Sequence, residues 1–293
     1  MRASPSLPAR LYFQLVASRP GFWATHIWFY SLPLARENYF GEVGFWVGLC
    51  YVTVPMGHLL YAWNDLGDSE TDRRNPRKGG LLFGSRGEPE QLASLPAWIV
   101  GIQLVALGPV FWFGGPRMIV WLALAVVVNA LYNSPGVGLK ARPGFDLLMQ
   151  SGYLLVFLFS CWINDAPGLP TATLVFSALF AMHSHLFGQI MDIEPDREAN
   201  RRTTAVAIGV LPSKWLLVAL LATESTIIWA AYRDPFITCF LAAAAFGFAV
   251  DALFVFRERA YPQWLIKAAF IFWNVAALSS IHLMWTRGTL AGL

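Results

Sequence analysis

Charged side chains are scarce in this chain of 293 residues. Asp, Glu, Lys and Arg together make up 13% of it, whereas 56% of the residues are hydrophobic. With a mean hydropathy of +0.50 and several long apolar runs, this composition argues against a water-soluble globular protein and predicts an integral membrane protein in contact with the lipid bilayer. The net charge of +3 is small and the basic residues alternate with carboxylates, so we expect no nucleic-acid partner.

Several motifs of soluble enzymes and redox proteins are also missing. The sequence has no glycine-rich nucleotide loop followed by Lys-Ser or Lys-Thr, no nucleophile elbow and no histidine pair at zinc-binding spacing. Its three cysteines, Cys50, Cys161 and Cys239, fall in apolar runs and form no CxxC pair, so we expect buried structural thiols and no disulfide. The first 19 residues contain no apolar core followed by a cleavage site, so we expect no removable targeting peptide.

The apolar runs predict an all-α membrane protein with about nine transmembrane helices. We expect one bundle or barrel around a central lipid-accessible cavity, and we treat residues 1–293 as a single domain. The first span is the shortest, because Arg36 and Glu37 interrupt it. The predicted spans are 20–35, 43–63, 95–113, 117–133, 145–163, 170–191, 213–231, 236–256 and 264–285.

Lysine and arginine are distributed unequally across these spans. Seventeen of the 21 lie at the N-terminus or near the loops on its side, and four lie on the other side: Arg36, Arg117, Arg233 and Arg287. Because basic residues are retained in cytoplasmic loops, this asymmetry predicts a cytoplasmic N-terminus. Together with the missing targeting peptide, it favours a multi-pass protein of a bacterial inner membrane, with both acidic motifs described next on the cytoplasmic side.

The first acidic motif ends the second predicted span. Asn64, Asp68 and Asp72 are spaced by four residues, which puts them on one face of a helix. The basic loop that follows includes Arg77 and Lys78, and a proline and two glycines end the helix there. An acid-rich helix end with an amide at its start offers oxygen ligands only, which favours magnesium over zinc or copper.

A second acidic pair, Asp192 and Asp196, ends the sixth predicted span. With His185 and Gln189 it forms a polar stripe on one helix face. Such groups inside a span face the bundle interior, so the two acidic motifs repel each other unless cations lie between them. Arg201 follows the pair. For His185, an interhelical hydrogen bond and a substrate contact both stay open.

A third polar segment runs from Tyr132 to Pro143, and its glycines and prolines predict a loop. Lys140 and Arg142 in this loop can reach diphosphate oxygens that metal ions leave unneutralised. The expected diphosphate-binding residues are Lys140, Arg142, Arg77, Lys78 and Arg201.

These parts form a clamp for a molecule with a diphosphate head and a long apolar tail, which is the description of a prenyl diphosphate. Metal coordination would stabilise the leaving diphosphate as the C–O bond breaks and an allylic cation forms. Aromatic rings such as Tyr61 and Tyr132 would stabilise that cation. An acceptor would then attack it and lose a proton.

The motifs Asn64-x-x-x-Asp68-x-x-x-Asp72 and Asp192-x-x-x-Asp196 resemble the paired aspartate-rich motifs of the UbiA superfamily of intramembrane prenyltransferases. The segment between the fourth and fifth predicted spans is also similar to that family, and the likeness covers essentially the whole chain. By this resemblance, Mg2+ is the cofactor and its ligands are Asn64, Asp68, Asp72, Asp192 and Asp196. The catalytic residues that it implies are Asp68, Asp72, Asp192, Asp196 and Tyr132.

The resemblance implies transfer of a prenyl group from a prenyl diphosphate to a hydrophobic or aromatic acceptor within the membrane. Residues 71–80 are similar to family members that extend carotenoids, but residues 81–87 depart from them, so the identity of the acceptor stays open. A terpene cyclase of the same family, which needs no acceptor, is an alternative. A membrane transporter or cation channel is an alternative of a different class. Glu224 and Asp251 are acids inside spans for which the sequence shows no partner.

Overall fold

The computed structural model describes residues 6–35, 38–134, 136, 138–259 and 261–292. Apart from one isolated β-bridge, all regular structure of these residues is helical, which confirms the all-α architecture. The α-helices are α1 (Leu7–Ala17), α2 (Trp23–Ser31), α3 (Val43–Tyr51), α4 (Val54–Gly57), α5 (Trp63–Arg74), α6 (Pro89–Gly114), α7 (Arg117–Asn133), α8 (Phe145–Leu148), α9 (Leu154–Ile163), α10 (Thr171–Glu198), α11 (Thr204–Ile208), α12 (Val210–Tyr232), α13 (Pro235–Phe254) and α14 (Gln263–Arg287). Short 3-10 helices cover Pro20–Phe22, Leu32–Leu34, Leu139–Ala141 and Met149–Tyr153, and a π-helical turn covers His58–Ala62.

Seven helical stretches of the described residues are long and apolar enough to cross a membrane, so the chain is an integral membrane protein. They are Val43–Arg74, Pro89–Gly114, Phe145–Ile163, Thr171–Glu198, Val210–Tyr232, Pro235–Phe254 and Gln263–Arg287. Helix α7 is apolar but has 17 residues, and the predicted first span, 20–35, contains the nine-residue α2 between two 3-10 helices. Nine spans and a cytoplasmic N-terminus therefore stay predictions. Arg36 and Glu37 lie outside the described residues.

The helix of the second predicted span continues past residue 63, where the span was expected to leave the membrane. Its π-helical turn leads into α5, which carries the first acidic motif and ends at Arg74. The next residue, Asn75, has an extended backbone with φ −77° and ψ 114°. Pro76 accounts for this conformation, because a proline disfavours the helical region for the residue before it. The expected helix end is thus in place, and the basic loop starts beside the acids.

The last helix packs against the first part of the chain and closes the bundle. The indole nitrogen of Trp28 in α2 donates a hydrogen bond to Ser280 Oγ of α14 at 3.0 Å. Trp285 of α14 likewise donates to the backbone oxygen of Ser31 at 2.9 Å. Phe180 of α10 stacks on Trp28 of α2 and on Trp273 of α14, so the aromatic core lies between α2, α9, α10 and α14. This core includes Trp28, Phe29, Phe157 and Phe180.

The prediction of buried cysteines was wrong. Cys50 and Cys239 are exposed on their helices and Cys161 is half-buried; all three are free thiols. In a membrane protein an exposed position within a span faces lipid, which is as apolar as a protein core. An apolar run in the sequence therefore does not show whether a thiol within it is packed in the core.

Gly57 allows the chain before α2 to pass close to the end of α4. A Cβ atom at this position would overlap the backbone oxygen of Ser18, which cannot rotate away. We predict that Gly57→Ala destabilises the protein by about 1–3 kcal/mol, as for other overpacked sites. The measurement is the melting temperature of purified protein in detergent.

Gly101→Ala is the matched control, because a Cβ atom at Gly101 would meet no atom within 4 Å. This substitution should leave the melting temperature unchanged or raise it slightly, since alanine favours helix over glycine. Equal melting temperatures for the two variants would contradict the close packing at Gly57.

Candidate functional site

The polar end of the bundle holds a cluster of buried carboxylates. Asp65, Asp68 and Asp72 of α5 are all buried, and so is Asp196 near the end of α10. Asp192, one turn earlier on α10, is half-buried. A buried carboxylate without a cation nearby is strongly destabilising, so the partners of these five acids define the site.

Asp68 is the most heavily paired acid of the first motif. Lys140 Nζ lies 2.6 Å from Asp68 Oδ1, and Arg201 forms an ion pair with the same oxygen. Arg201 also reaches Asp196 of the second motif, with 3.7 Å between Nη1 and Oδ1. One guanidinium therefore joins the two acidic motifs, and they face each other across it.

The electrostatic surroundings act differently on the two cations that contact Asp68. Burial lowers the pKa of Lys140, and the nearby Asp68 carboxylate only partly offsets this effect. Burial also opposes the charge of Arg201, but the carboxylates of Asp68 and Asp196 outweigh it and raise the pKa of Arg201. Arg201 is thus a permanent positive charge between the two motifs.

Asp192 pairs with the loop that follows α5. Arg77 Nε donates to Asp192 Oδ1 at 2.8 Å, a second guanidinium nitrogen of Arg77 binds Oδ2, and Asn75 Nδ2 donates to Oδ1 at 2.8 Å. This two-pronged contact is the geometry in which arginine recognises planar oxyanions. It holds the loop after α5 against the end of α10.

The other two acids of the cluster, Asp65 and Asp72, both contact Lys78, which follows Arg77 in that loop. Lys78 Nζ lies 2.8 Å from Asp72 Oδ2 and 3.2 Å from Asp65 Oδ1. Asp65 also accepts hydrogen bonds from Arg19 at 2.5 Å and from Ser85 Oγ at 2.7 Å. The five carboxylates thus have five basic partners, and the cluster is close to electroneutral.

Asp65 and Arg19 are site residues that the sequence interpretation missed. Asp65 follows Asn64 by one residue, so it points to a different side of α5 from the four-residue stripe. Arg19 is 46 residues upstream of Asp65, and spacing along one helix says nothing about such a pair. Arg19 also donates to Asn64 Oδ1 at 3.1 Å, and Asn64 donates to Asn133 Oδ1 at 2.8 Å.

Tyr132 and Arg142 occupy different surroundings. The hydroxyl of Tyr132 lies 3.4 Å from His185 Nε2, so these two predicted residues come together at the edge of the cluster. Arg142 is exposed, and its backbone makes hydrogen bonds with Leu139 and Asp146. Its assignment to diphosphate binding stays a prediction.

A second buried hub, centred on Asp146, supports the loop that carries Arg201. Asp146 Oδ2 accepts hydrogen bonds from the backbone N–H of Thr204 at 2.6 Å and from Gln189 Nε2 at 2.7 Å. The hydroxyl of Thr204 donates to Asp146 Oδ1, and Gln189 Oε1 accepts from the N–H of Ala205 at 3.2 Å. Helix α10, helix α8 and the loop before α11 are thereby fixed to one another.

Glu224 and Asp251 are the two acids inside spans for which the sequence shows no partner, and each of them contacts a basic side chain in the structure. Glu224 Oε1 lies 2.6 Å from His183 Nδ1. Asp251 Oδ2 lies 2.6 Å from the fully buried Lys214 Nζ, and Tyr261 donates to the same carboxylate at 2.5 Å. Sequence spacing could not show these pairs, because their members lie on different helices.

The donor atoms of the two acidic motifs fit a hard cation. Carboxylate and amide oxygens are the ligands that Mg2+ prefers, and Mg2+ keeps several waters and needs only one or two carboxylates from the protein. Within the described ranges, no group of three or more His, Cys, Asp or Glu side chains is arranged to hold a metal ion. Basic side chains instead occupy the carboxylate oxygens.

A family model described as the UbiA prenyltransferase family matches residues 22–276. The chain belongs to the UbiA prenyltransferase family. Two relatives of this UbiA protein, each named lycopene elongase/hydratase, are 31% identical to it. The one from Corynebacterium glutamicum aligns over 70% of this chain and 72% of its own length, and the one from Haloferax volcanii over 74% and 72%.

A solved structure, of a UbiA homologue from Archaeoglobus fulgidus bound to DMAPP and Mg2+, has the same fold. It is 15% identical, and the superposition has a TM-score of 0.70 and covers 94% of this chain and 99% of that one. Family membership confirms the resemblance noted in the sequence and identifies this UbiA protein as a prenyltransferase enzyme. The transporter or channel alternative has no support.

Asp146→Asn should loosen the Arg201 loop. Both carboxylate oxygens of Asp146 accept hydrogen bonds, so the NH2 group of an asparagine would face another donor. Gln189 could turn its amide to offer an oxygen instead, but it would then lose the hydrogen bond that it accepts from Ala205. A buried polar group left unpaired costs about 1–3 kcal/mol. We predict a lower melting temperature in detergent and a higher KM for the prenyl diphosphate.

Asp165→Asn is the control for this change, because Asp165 is largely exposed and pairs with Arg117 at the protein surface. Exposed pairs contribute little to stability, so this variant should melt like the unmodified protein. A melting temperature and a KM for Asp146→Asn equal to those of the control would show that the hub does not position the loop.

Proposed function

We propose that this UbiA protein transfers a prenyl group from a Mg2+-bound prenyl diphosphate to the end of a linear polyene of the carotenoid class. The observation that carries the proposal is the meeting of two separate acidic helix ends at Arg201, at one end of a bundle whose buried core is rich in aromatic residues. Such an arrangement matches a substrate with an anionic head and an apolar tail.

The proposed metal ligands are Asn64, Asp68, Asp72, Asp192 and Asp196. When bound, Mg2+ would neutralise charge on the diphosphate and so stabilise it as a leaving group. The protein's own cations would add to this effect by exchanging their carboxylate partners for diphosphate oxygens; these cations are Lys140, Arg77, Lys78 and Arg201. Because five carboxylates already balance five cations, the cluster accepts a metal–diphosphate complex whose own charges nearly cancel.

Aromatic side chains below the cluster suit the cation that forms when the C–O bond breaks. The guanidinium of Arg19 lies 4.9 Å from the centre of the Tyr61 ring, which is a cation–π contact already present at this position. Tyr61 also stacks on His26 and hydrogen bonds to Tyr153 at 2.6 Å. These rings stabilise the cation and hold the donor's first carbons beside Tyr132.

The proposed acceptor follows from the relatives and from the interior. Both relatives described above carry the name lycopene elongase/hydratase, and residues 71–80 are similar to the same group of enzymes. The terminal double bond of a linear polyene is electron-rich and attacks an allylic cation without prior deprotonation. We further propose that the site faces the cytoplasm across a bacterial inner membrane, where soluble diphosphates and Mg2+ are available.

The test is expression of the chain in a host that makes lycopene, followed by mass spectrometry of the extracted lipids. We expect carotenoids heavier by one or two five-carbon units. Asp68→Asn and Asp192→Asn should each reduce this product by about 10²-fold or more, the scale for losing one preorganised electrostatic contact to a reacting group.

Glu194→Gln is the matched control, because Glu194 is only two residues from Asp192 in sequence but is exposed and pairs with Arg197. Full product from Asp68→Asn or Asp192→Asn would contradict the clamp. A cyclic terpene formed from the diphosphate alone, with lycopene unchanged, would identify a terpene cyclase instead.

A further inference from the structure

A buried histidine–carboxylate pair lies inside the bundle, away from the polar cluster. His183 of α10 and Glu224 of α12 are 3% and 0% exposed, and His183 Nδ1 lies 2.6 Å from Glu224 Oε1. The other two polar atoms of the pair, His183 Nε2 and Glu224 Oε2, are buried and have no hydrogen-bond partner among the described residues. Buried polar atoms are nearly always paired, so these two point to a ligand or a reaction.

Aromatic contacts connect this pair with the polar cluster. The ring of His183 meets Phe180 edge-on at 5.3 Å between centroids, and Phe180 contacts Phe29 at 6.1 Å. Phe29 contacts Tyr153 at 5.6 Å, and Tyr153 hydrogen bonds to Tyr61. The pair therefore lies at the inner end of the same aromatic interior that we assign to the apolar part of the substrates.

The depth of His183 also suits a reacting group. His183 precedes Asp192 by nine residues on the continuous helix α10, which corresponds to about 13 Å along the helix axis. That distance is comparable to the length of a diphosphate head with one extended prenyl unit. Along the bundle axis, the free Nε2 atom is thus at the depth of the donor's first carbons, and it lies on the opposite side of α10 from Asp192, where Glu224 of α12 and Trp273 of α14 adjoin the imidazole ring.

We propose that His183, oriented by Glu224, is the base that completes prenyl transfer to the polyene; this inference rests on the proposed function. The donor C–O bond breaks and the diphosphate leaves with the electron pair. The terminal double bond of the acceptor then forms the new C–C bond, which leaves a cation on the neighbouring acceptor carbon. Nε2 of His183 takes the proton that must be lost.

Two outcomes satisfy the balance of atoms and charge. Nε2 removes a proton from a carbon next to the cation, and a C=C bond forms; or Nε2 removes a proton from a water molecule that adds to the cation, and an alcohol forms. In both, the Nδ1 proton stays hydrogen-bonded to Glu224, which fixes the tautomer and stabilises the imidazolium. The carboxylate is thus a positioning residue and His183 is the catalytic one.

The experiment supplies membranes that contain the protein with lycopene, Mg2+ and dimethylallyl diphosphate, and measures diphosphate release and the masses of all carotenoid products. The variants are His183→Gln and Glu224→Gln. The first should lower formation of prenylated carotenoid by about 10²-fold, the scale of a positioned general base, with an unchanged KM for the diphosphate. Both variants should shift the ratio of alcohol to alkene products in the same direction, with the smaller change in Glu224→Gln.

His282→Gln is the matched control, since His282 is an exposed histidine of another membrane helix, α14, and it should match the unmodified protein. If His183→Gln fails to fold, as judged by its melting temperature, the product ratio of Glu224→Gln decides. An unchanged ratio of alcohol to alkene products would overturn the catalytic role. So would an equal loss of all products together with a higher KM, because it would show that the pair only supports the structure. If the unmodified protein forms no prenylated carotenoid, the proposed function fails and this inference with it.

Discussion

The site depends on the compensation of buried negative charge. Five carboxylates at one end of a largely apolar bundle would repel each other and lose their hydration, and five lysine and arginine side chains offset this. Arg201 is central, because it contacts Asp68 and Asp196 together. Without a cation in this position, the ends of α5 and α10 could not lie so close.

This compensation also explains why the connecting segments fold over the bundle end. The loop after α5 is held through Arg77 and Lys78, the loop after α7 through Lys140, and the loop after α10 through Arg201 and the Asp146 hub. Each cation that neutralises an acid is also a group that can bind a diphosphate. In the proposed function, substrate binding would exchange the partners of these cations without bringing further protein charges out of water.

Much of the architecture could be predicted from the sequence, since hydropathy identifies helices long enough to span a membrane and four-residue spacing places Asn64, Asp68 and Asp72 on one face. What could not be predicted is long-range pairing. Arg19 with Asp65, His183 with Glu224 and Lys214 with Asp251 join different elements, and no periodicity relates their members. Exposure within a span was equally inaccessible: Cys50 and Cys239 sit in apolar runs, but sequence alone does not separate a lipid-facing position from a core position.

The central claim is that the two acidic helix ends bind the metal and the diphosphate as one unit. Its most direct test is calorimetric binding of a non-reactive prenyl diphosphate analogue, with and without Mg2+, to the unmodified protein and to Asp68→Asn, Asp196→Asn and the double variant. If the helix ends act together, each single change abolishes the Mg2+-dependent part of the affinity and the double change adds little more, because coupled sites are not additive. The account would be contradicted if the unmodified protein bound the analogue equally well without Mg2+. It would also be contradicted if the losses of binding free energy in the two single variants added up to the loss in the double variant.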